Sequence, residues 1–407
     1  MKKNCIVAQS GGPTVAINAS LAGVINGVIH SDLYNKIYGS IHGIQGVLSD
    51  NFIDLTDSSD DFINTLKKTP AMYLGSCRYK LPDMEDDIAT YEKIFSKFEE
   101  MNIGAFFYIG GNDSMDTVAK LSKYASQIGS SIKIAGVPKT IDNDLVETDH
   151  TPGFGSAAKY IASCVREMAY DTYIYNIESV LIIEIMGRDA GWLTAASALA
   201  RTSFSHAPHL IYLPEKVFDK AKFIEDIKQV MQHNKNVIIA VSEGIRDNEG
   251  NYISATDAAA DKFGHAQLSG TGKCLEHLVK ESLGVKVRSV EINVLQRCAA
   301  HLSSNTDLEE SFLLGSTAVK LTEEGNSSFM TTIQRTSDSP YTVEISSVPV
   351  SKVANLAKSV PDDFINEAGN DITDKMINYL SPLVMGEVDT DYQDGITSYL
   401  DLSHLVK

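Results

Sequence analysis

The sequence predicts an α/β protein of two domains, each with a mainly parallel sheet covered by helices. Short apolar, β-branched runs alternate with segments of helical periodicity up to about residue 310, as in strand–helix–strand units. The chain has 407 residues, which is enough for two domains of ordinary size. Five of the apolar runs lead directly into residues suited to chemistry, as expected where ligands lie beyond the carboxyl ends of parallel strands.

These five runs are the predicted strands that carry the site. Because the carboxyl ends of parallel strands meet at one edge of a sheet, the segments that follow them should lie together. In chain order, residues 5–8 lead to Ser-Gly-Gly at 10–12, 106–109 to Gly-Gly-Asn-Asp at 110–113, 132–137 to residues 139–144, 180–185 to Met-Gly-Arg at 186–188, and 237–241 to Ser-Glu-Gly at 242–244.

Two predicted helices follow such segments. Ser-Gly-Gly-Pro-Thr at 10–14 opens a helix from about residue 15 to residue 29, with Pro13 near the start, where its missing N–H is harmless. This helix start favours an anion, although an ordinary strand-to-helix turn has the same sequence features. The second helix follows Asp113, with Ser114 as the predicted N-cap and Gly129 as its end. Its apolar stripe consists of Val118, Leu121, Ala125 and Ile128.

Beyond about residue 310 the pattern weakens. Residues 341–348 are compatible with a strand, and residues 364–380 have helical spacing. We find no chemistry in this part of the sequence and interpret it as structural or as an interface.

Charge and cysteine content exclude several classes of partner. The 53 acidic and 35 basic residues give a formal net charge of −18, so nucleic acids and anionic membranes are poor partners. No apolar run reaches about 18 residues, so no membrane span is expected. Five scattered cysteines without a C-x-x-C pair indicate reduced thiols in a cytoplasm and argue against zinc. If the substrates are phosphates, the site must be locally positive within an acidic protein.

Two motifs form one constellation: Gly-Gly-Asn-Asp at 110–113 and Pro-Lys-Thr-Ile-Asp-Asn-Asp at 138–144. A glycine pair lets backbone N–H groups approach a phosphate closely. The second motif adds a lysine, a threonine and two carboxylates. Together they can hold a polyphosphate and remove a proton from a hydroxyl, which is typical of a phosphoryl transferase.

Individual aspartates in these motifs suggest roles. Asp142 is the predicted general base. Asp144 would orient partners or approach a metal indirectly, although two aspartates in one loop can also be simple turn formers. A carboxylate at Asp113, beside an expected phosphate site, indicates either metal binding or exclusion of a second anion.

Several later residues suit a phosphorylated polyol. Met-Gly-Arg at 186–188 and Glu243 could hold one, because arginine binds phosphate bidentately and a carboxylate accepts hydrogen bonds from hydroxyls. Arg78 follows a glycine turn and could reach a donor phosphate. Arg288 and Arg297 bracket an apolar run at 290–295 and could both face a sugar phosphate. Each of these single arginines could equally be an ordinary surface residue.

Taken together, the motifs resemble those of the phosphofructokinases, over roughly residues 4–320. The matching segments, in family order and spacing, are Ser-Gly-Gly at 10–12, Leu-Gly-Ser-Cys-Arg at 74–78, Gly-Gly-Asn-Asp at 110–113, Pro-Lys-Thr-Ile-Asp-Asn-Asp at 138–144, Met-Gly-Arg at 186–188 and Gln-Arg at 296–297.

The resemblance implies two Rossmann-like domains with the active site in the cleft between them. The donor domain would comprise residues 1–153 and about 298–360, and the sugar-phosphate domain residues 154–297. Residues from about 361 to 407 would form a C-terminal extension.

The resemblance also implies which phosphate donor is used. The ATP-using branch has glycine at the positions of Asp113 and Lys139, whereas the pyrophosphate-using branch has aspartate and lysine. Asp113 would exclude the α-phosphate of ATP, and Lys139 would compensate charge on the leaving phosphate. The implied reaction is reversible transfer from pyrophosphate to the C1 hydroxyl of fructose 6-phosphate, giving fructose 1,6-bisphosphate and phosphate, in glycolysis or gluconeogenesis.

The resemblance implies roles for single residues in catalysis, donor binding, sugar binding and Mg²⁺ binding. Asp142 would accept the C1 hydroxyl proton. The expected catalytic set is Asp142, Lys139, Asp113 and Thr140. The expected donor set is Gly11, Gly12, Arg78, Gly111 and Ser114. The expected sugar-phosphate set is Thr140, Asp142, Asp144, Met186, Gly187, Arg188, Glu243, Arg288 and Arg297. Mg²⁺ would bridge the donor oxygens near Asn112 and Asp113.

The sequence departs from the family pattern at three positions and leaves alternatives open. Asn112 replaces the usual metal-associated aspartate, while Ser179 and Val294 replace an arginine and a histidine. A homodimer or homotetramer in the cytoplasm is expected. The alternatives are an ATP-dependent sugar kinase, a catalytically silent subunit that binds sugar phosphates, and preference for a longer ketose phosphate such as sedoheptulose 7-phosphate.

Overall fold

The computed structural model describes residues 2–254 and 270–406. This part of the chain contains thirteen strands. In chain order they are β1 (Lys3–Gln9), β2 (Tyr34–Ser40), β3 (Phe52–Asp54), β4 (Ile103–Gly110), β5 (Lys133–Pro138), β6 (Ser179–Ile185), β7 (Leu210–Tyr212), β8 (Asn236–Ser242), β9 (Lys286–Glu291), β10 (Phe329–Asp338), β11 (Tyr341–Pro349), β12 (Tyr392–Gln393) and β13 (Ile396–Thr397).

Eleven α-helices lie in the same described ranges. They are α1 (Ile17–Ile29), α2 (Ile44–Ser49), α3 (Asp60–Lys68), α4 (Ile88–Glu100), α5 (Asn112–Gln127), α6 (Phe154–Tyr173), α7 (Trp192–Ala196), α8 (Lys220–Met231), α9 (Thr271–Leu283), α10 (Asn305–Glu323) and α11 (Asp374–Leu380). None of these helices has the length and apolarity needed to span a bilayer.

Two sheets organise the fold, and both are mainly parallel. The first has the order β11-β10-β5-β4-β1-β2-β3, with antiparallel pairing only at its two ends. The second has the order β7-β8-β6-β9 and is parallel throughout. β12 and β13 form a separate small hairpin. The predicted α/β class with mainly parallel sheets is therefore confirmed.

Both faces of each sheet are buried, which explains the continuous apolar runs in the sequence. In β6, Leu181 and Ile183 pack into the core on one face, while Val180 and Ile182 pack on the other. The same alternation divides β1 between the two cores of the first sheet. Since parallel strands covered by helices on both sides have no solvated face, apolar residues occur at consecutive positions.

Helix α10 connects the two sheets through close contacts. A Cβ atom on Gly23 of α1 would lie 2.0 Å from the Phe312 carbonyl oxygen of α10, so the two helices touch backbone to backbone. At the other end of α10, the Asp307 carboxylate accepts the N–H groups of Gly153 (2.9 Å) and Ser156 (3.0 Å). α10 therefore packs on the first sheet and also fixes the start of α6, which covers the second.

The predicted helix starts are partly wrong. α1 begins at Ile17 and not at residue 15, because the Thr14 hydroxyl accepts the N–H of Ile17 (2.9 Å) and of Ala16 (3.2 Å). Those N–H groups are consequently not free to bind an anion. α5 begins at Asn112 with Gly111 as N-cap, so Ser114 lies inside the first turn. Ile128, placed on the apolar stripe of α5, is 48% exposed.

The C-terminal part is more structured than its sequence suggested. The strand expected at residues 341–348 is β11, which pairs with β10 and returns the chain to the first sheet. The helix expected over residues 364–380 is wrong in its first half. A turn in which Asn366 Oδ1 accepts the Asn370 N–H, with Gly369 at φ +71°, delays α11 to residue 374. The predicted domain limits stay a prediction.

Candidate active site

Segments that follow strands of both sheets line one cavity of about 220 Å³. The first sheet supplies residues 12–14 after β1 and residues 139–142 after β5. The second supplies Met186 and Arg188 after β6 and Glu243 after β8, and Arg297 ends a short 3₁₀ helix beyond β9. The cavity thus lies between the sheets, where the sequence placed the site.

Lys139 is the buried cation of this cavity, at 2% exposure. Its Nζ donates a hydrogen bond to the Gly12 carbonyl oxygen at 2.8 Å. Gly11 adopts φ +85°, and a Cβ atom there would lie 2.9 Å from the Lys139 Nζ. Glycine at position 11 therefore suits the positive φ of the turn and leaves the ammonium uncrowded.

The environment of Lys139 opposes its charge. Burial lowers the pKa of Lys139; Asp142 and Asp144 oppose this shift and Arg297 adds to it, and the net pKa is about 8. An ammonium with this pKa is protonated at neutral pH and is poorly hydrated. It is therefore well suited to receive charge on a phosphate.

The predicted base lies opposite this cation. Asp142 stands in a turn in which its N–H donates to the Thr140 hydroxyl at 3.1 Å. Burial raises the pKa of the Asp142 carboxyl, against the attraction of Arg297, Lys139 and Arg188. A raised pKa brings a carboxylate base closer to the pH at which it works. Burial, followed by the charge of Asp142, raises the pKa of Asp144 to about 6.

On the side of the second sheet, Glu243 and the Met-Gly-Arg turn at 186–188 support one another. The Gly187 N–H donates to Glu243 Oε1 at 3.3 Å, with Gly187 at φ +144°. Burial raises the pKa of Glu243 to about 7, although that N–H partly opposes the shift. The Arg188 Nε donates to Asp189 Oδ2 at 3.0 Å, which fixes the arm of Arg188 beside the cavity.

The N-terminus of α5 meets the residues that follow β5. A Cβ atom on Gly111 would lie 3.4 Å from the Lys139 carbonyl oxygen, so the glycine motif and the loop at 139–144 are in contact. Asp113 lies in the first turn of α5 and is exposed. The Asn112 side chain donates to the Leu356 carbonyl oxygen (2.5 Å) and accepts the Asn355 N–H (2.8 Å). Both ends of its amide are therefore engaged and anchor residues 355–356, while the metal ligation expected of Asn112 stays a prediction.

Of the predicted donor set, only Gly12 lines the cavity, and Gly11, Gly111, Ser114 and Arg78 lie outside its lining. The Ser114 side chain is buried against Gly110, where an added Cβ would lie 2.0 Å from the Ser114 Oγ, so its donor contact stays a prediction. Arg78 is exposed, in a loop that is attached to the glycine turn because the Ser76 Oγ donates to the Gly11 carbonyl oxygen at 2.7 Å.

Arg288 is not where the sequence analysis placed it. It lies within β9 rather than at the end of an element, its side chain is 60% exposed, and its guanidinium is 3.8 Å from Asp171 of α6. It lines a separate cleft between α6 and β9, together with Met168 and Tyr175. Within one chain, Arg288 therefore does not share the cavity that holds Arg297.

The sequence analysis missed several residues at the site. Thr14 lines the cavity and caps α1, a dual use that its motif did not indicate. Asn143, between the two aspartates, is fully buried at φ +53°, and the tolerance of asparagine for that conformation was a usable signal. Lys358 and Tyr379 hold the same loop from more than 200 residues away and carry no local signal.

Comparison with known proteins gives consistent matches. The family model described as Phosphofructokinase matches residues 4–321. A pyrophosphate–fructose 6-phosphate 1-phosphotransferase of Xanthomonas campestris pv. campestris (strain B100) is 42% identical over 405 residues, covering 99% of this chain and 96% of that protein. A protein of the same name from Halomonas elongata is 40% identical over 403 residues, covering 98% and 96%.

Solved structures agree with these matches. The crystal structure of a pyrophosphate-dependent phosphofructokinase from Nitrosospira multiformis superposes with a TM-score of 0.88 at 38% identity. The superposition covers 98% of this chain and 96% of that one. This likeness extends over both sheets and the C-terminal part.

The lowered pKa of Lys139 predicts how anion binding depends on pH. The affinity for inorganic phosphate should fall several-fold as the pH rises through about 8, because the ammonium loses its proton at the pH where an ordinary lysine keeps it. Isothermal titration calorimetry from about pH 7 to pH 9.5 measures this change. Lys139→Met should bind weakly at every pH. Lys97→Met, a lysine paired with Asp50 and Glu100, should keep the wild-type pH dependence. An unchanged pH profile in Lys139→Met would contradict the assignment.

Proposed function

The chain belongs to the phosphofructokinase family, and on that premise we propose that it transfers a phosphoryl group reversibly between pyrophosphate and fructose 6-phosphate. The products of the forward reaction are fructose 1,6-bisphosphate and phosphate. The enzyme is thus a phosphotransferase of glycolysis and gluconeogenesis. One structural observation supports it most directly: the Lys139 ammonium on the Gly11–Gly12 turn lines the same cavity as the Asp142 carboxylate.

The forward step would proceed between these two groups. Asp142 takes the proton of the C1 hydroxyl while the hydroxyl oxygen attacks the nearer phosphorus of pyrophosphate. The bond from that phosphorus to the bridging oxygen breaks, and inorganic phosphate leaves with the electron pair. Lys139 and the backbone of the Gly11–Gly12 turn are proposed to stabilise the charge that develops on this leaving group. In the reverse direction Asp142 returns the proton.

The sugar phosphate is proposed to lie on the side of the second sheet. Arg188 and Arg297 line the cavity there and would bind its phosphate, and Glu243 would accept hydrogen bonds from its hydroxyls. Met186 and the turn at Gly187 supply the wall against which the sugar carbons pack. Arg188 and Arg297 make the cavity locally basic within a chain of net charge −18.

Mg²⁺ is the proposed cofactor. The residues fit a shared site better than a cage made of protein alone, because Mg²⁺ is usually held by one or two carboxylates together with substrate phosphates and water. Among residues 2–254 and 270–406, no group of three or more His, Cys, Asp or Glu side chains could enclose a metal ion. The exposed Asp113 carboxylate at the start of α5 would be its protein ligand. When bound, Mg²⁺ would neutralise charge on the donor oxygens.

The two rival functions use parts of the same site. An ATP-dependent kinase would need room for the α-phosphate next to the start of α5, where Asp113 places a negative charge. A silent subunit would bind sugar phosphates without a base, whereas here Thr140 and Asp142 both line the cavity. Both features favour the pyrophosphate-dependent enzyme over its rivals.

A direct assay tests the proposed function. Purified protein with Mg²⁺ and pyrophosphate should phosphorylate fructose 6-phosphate, and sedoheptulose 7-phosphate in parallel reports the sugar preference. Asp142→Asn should lower kcat by about 10²–10⁴-fold, because the amide cannot accept the hydroxyl proton.

The matched control is Asp226→Asn. Asp226 is also a buried aspartate, but it pairs with Tyr212 and Lys222 away from the cavity. It should keep wild-type kcat. Full activity in Asp142→Asn would refute the assignment of the base, and an inactive wild-type protein would refute the proposed function.

Donor choice is tested by two glycine substitutions. Asp113→Gly should allow phosphorylation with ATP, because the repulsion and volume that exclude the α-phosphate are removed. Lys139→Gly should lower kcat/KM for pyrophosphate by roughly 10- to 100-fold, since one charge-assisted hydrogen bond to phosphate is lost. Steady-state rates with each donor at saturating sugar phosphate measure both effects. If neither variant changes the ratio of the two rates, positions 113 and 139 do not select the donor.

We also propose that the enzyme is a homo-oligomer that buries the face between α6 and β9. This α6–β9 face comprises the edge strand β9 and the exposed apolar side chains at its rim. Those side chains are Tyr170, Ile174, Tyr175, Ile177, Val294 and Leu295, at 44–73% exposure. Exposed apolar side chains next to an unpaired strand edge are typical of an association surface. Arg288 lies on this face, so its predicted contact with a sugar phosphate would be made to the site of a second copy.

A complementation experiment tests this arrangement. Arg288→Ala and Asp142→Asn chains, each nearly inactive alone, are co-expressed so that they form mixed oligomers. Each mixed pair should contain one site with an intact Asp142 and an intact Arg288, and one site with neither. With about half of the pairs mixed, the expected activity is about a quarter of wild type. A mixture no more active than the mean of the two separate variants would contradict a contribution of Arg288 across the interface.

A further inference from the structure

Asn143 is held by its side chain within the loop at 139–144, which carries the proposed base and is called the catalytic loop. Asn143 lies between Asp142 and Asp144, is 0% exposed and has φ +53°. Its Oδ1 accepts the Thr151 N–H at 3.1 Å, and its Nδ2 donates to the hydroxyl of Tyr379 at 2.9 Å. Both ends of the amide therefore form hydrogen bonds. They fix the backbone of the loop between Asp142 and Asp144.

Tyr379 belongs to α11, which lies outside the part of the chain that the family model matches. Its hydroxyl accepts the Asn143 hydrogen bond and donates its own proton to the Asp149 carbonyl oxygen at 2.8 Å. An amide nitrogen can only donate and a carbonyl can only accept, so the direction of both bonds is fixed. The phenol therefore links the catalytic loop to residue 149 in a single arrangement.

A buried charge network holds the ring of Tyr379 in place. The Arg335 guanidinium lies 4.7 Å from the ring centroid and donates to Asp149 Oδ2 at 2.9 Å. His150 places its two nitrogens 2.8 Å from Asp149 and 2.6 Å from Glu310. Burial alone would lower the pKa of His150, but these two carboxylates outweigh it and raise the pKa to about 9. His150 is therefore protonated at neutral pH, and each of its two nitrogens is paired with a carboxylate.

Lys358 holds the loop from a second point. Its backbone N–H donates to the Asp144 carbonyl oxygen at 2.7 Å. Its Nζ donates to the carbonyl oxygens of Asp149 (2.8 Å) and Thr148 (3.1 Å). Residues 143 and 144 are consequently both fixed by residues beyond 350, and Asp142 directly precedes them.

We propose that Tyr379 is a positioning residue for the general base, and that this part of the C-terminal segment completes the active site. The inference rests on the proposed function, because it assigns Tyr379 an effect on the step that Asp142 performs. Tyr379 acts through Asn143 and does not line the cavity. A displacement of about 1 Å at the reacting groups can cost on the order of 10²-fold in rate, so loss of one such bond should be visible in kcat.

The test is Tyr379→Phe, which removes the hydroxyl and keeps the ring. The expected result is a kcat lowered by roughly 10- to 100-fold, with KM for fructose 6-phosphate and pyrophosphate within about threefold of wild type. The matched control is Tyr341→Phe. Tyr341 packs on the same Arg335 and donates to Glu310 at 2.7 Å, but it has no bond to the catalytic loop. It should lose a similar amount of thermal stability while keeping kcat.

A second variant keeps the proposal testable if Tyr379→Phe folds poorly. Asn143→Gly removes the same hydrogen bond from the other side, together with the one that Thr151 donates, and glycine tolerates the positive φ. The double variant Tyr379→Phe/Asn143→Gly should be no slower than the slower single variant, because the link to Tyr379 is already absent in Asn143→Gly.

Three outcomes would overturn the inference. They are a kcat for Tyr379→Phe within twofold of wild type, an equal loss of kcat in Tyr341→Phe, and multiplicative losses in the double variant. Inactivity of the wild-type protein with pyrophosphate and fructose 6-phosphate would instead overturn the proposed function, and this inference with it.

Discussion

The candidate site depends on one buried ammonium at the meeting point of two sheets. Lys139 follows β5 and donates to the Gly12 backbone, which follows β1, so this hydrogen bond joins the glycine turn at 10–12 to the loop at 139–144. Glycine at position 11 leaves room for this approach, because a Cβ atom there would lie 2.9 Å from the Nζ. The buried ammonium also needs nearby carboxylates, because an isolated buried cation is costly. The need to stabilise this ammonium accounts for the two carboxylates near it, Asp142 and Asp144.

The same constraint explains how an acidic protein can bind anions. Among the residues that line the cavity, Lys139, Arg188 and Arg297 are positive, and Asp142 and Glu243 are the carboxylic acids. Three cations therefore face two acids, and burial raises the pKa of Glu243 to about 7, so this acid is only partly ionised at neutral pH. The excess of acidic residues is elsewhere on the molecule, where it favours solubility without repelling a phosphate from the site.

Sequence reasoning predicted the parts of the site that are local in the chain. Strand ends and the turns that follow them were found because apolar runs and glycine motifs are contiguous. It did not show where distant segments meet a residue: Asn112 binds backbone at 355–356, and Arg288 faces a cleft beside α6. It also misplaced the starts of α1 and α5. The Thr14 hydroxyl accepts the Ile17 N–H, and Gly111 rather than Ser114 is the N-cap of α5; both depend on backbone geometry that the sequence pattern does not show. No local pattern could have indicated that Tyr379 would reach Asn143.

The late position of β10, β11, Lys358 and Tyr379 in the chain has a consequence for biosynthesis. A ribosome-bound chain that has emerged only as far as α10 already carries every motif that this sequence shares with the family. It still lacks β10, one of the two neighbours of β5, and the support of residues 143 and 144. Domains fold as they emerge from the N-terminal end. Because Lys358 and Tyr379 hold residues 144 and 143, we expect full activity only once translation has passed α11.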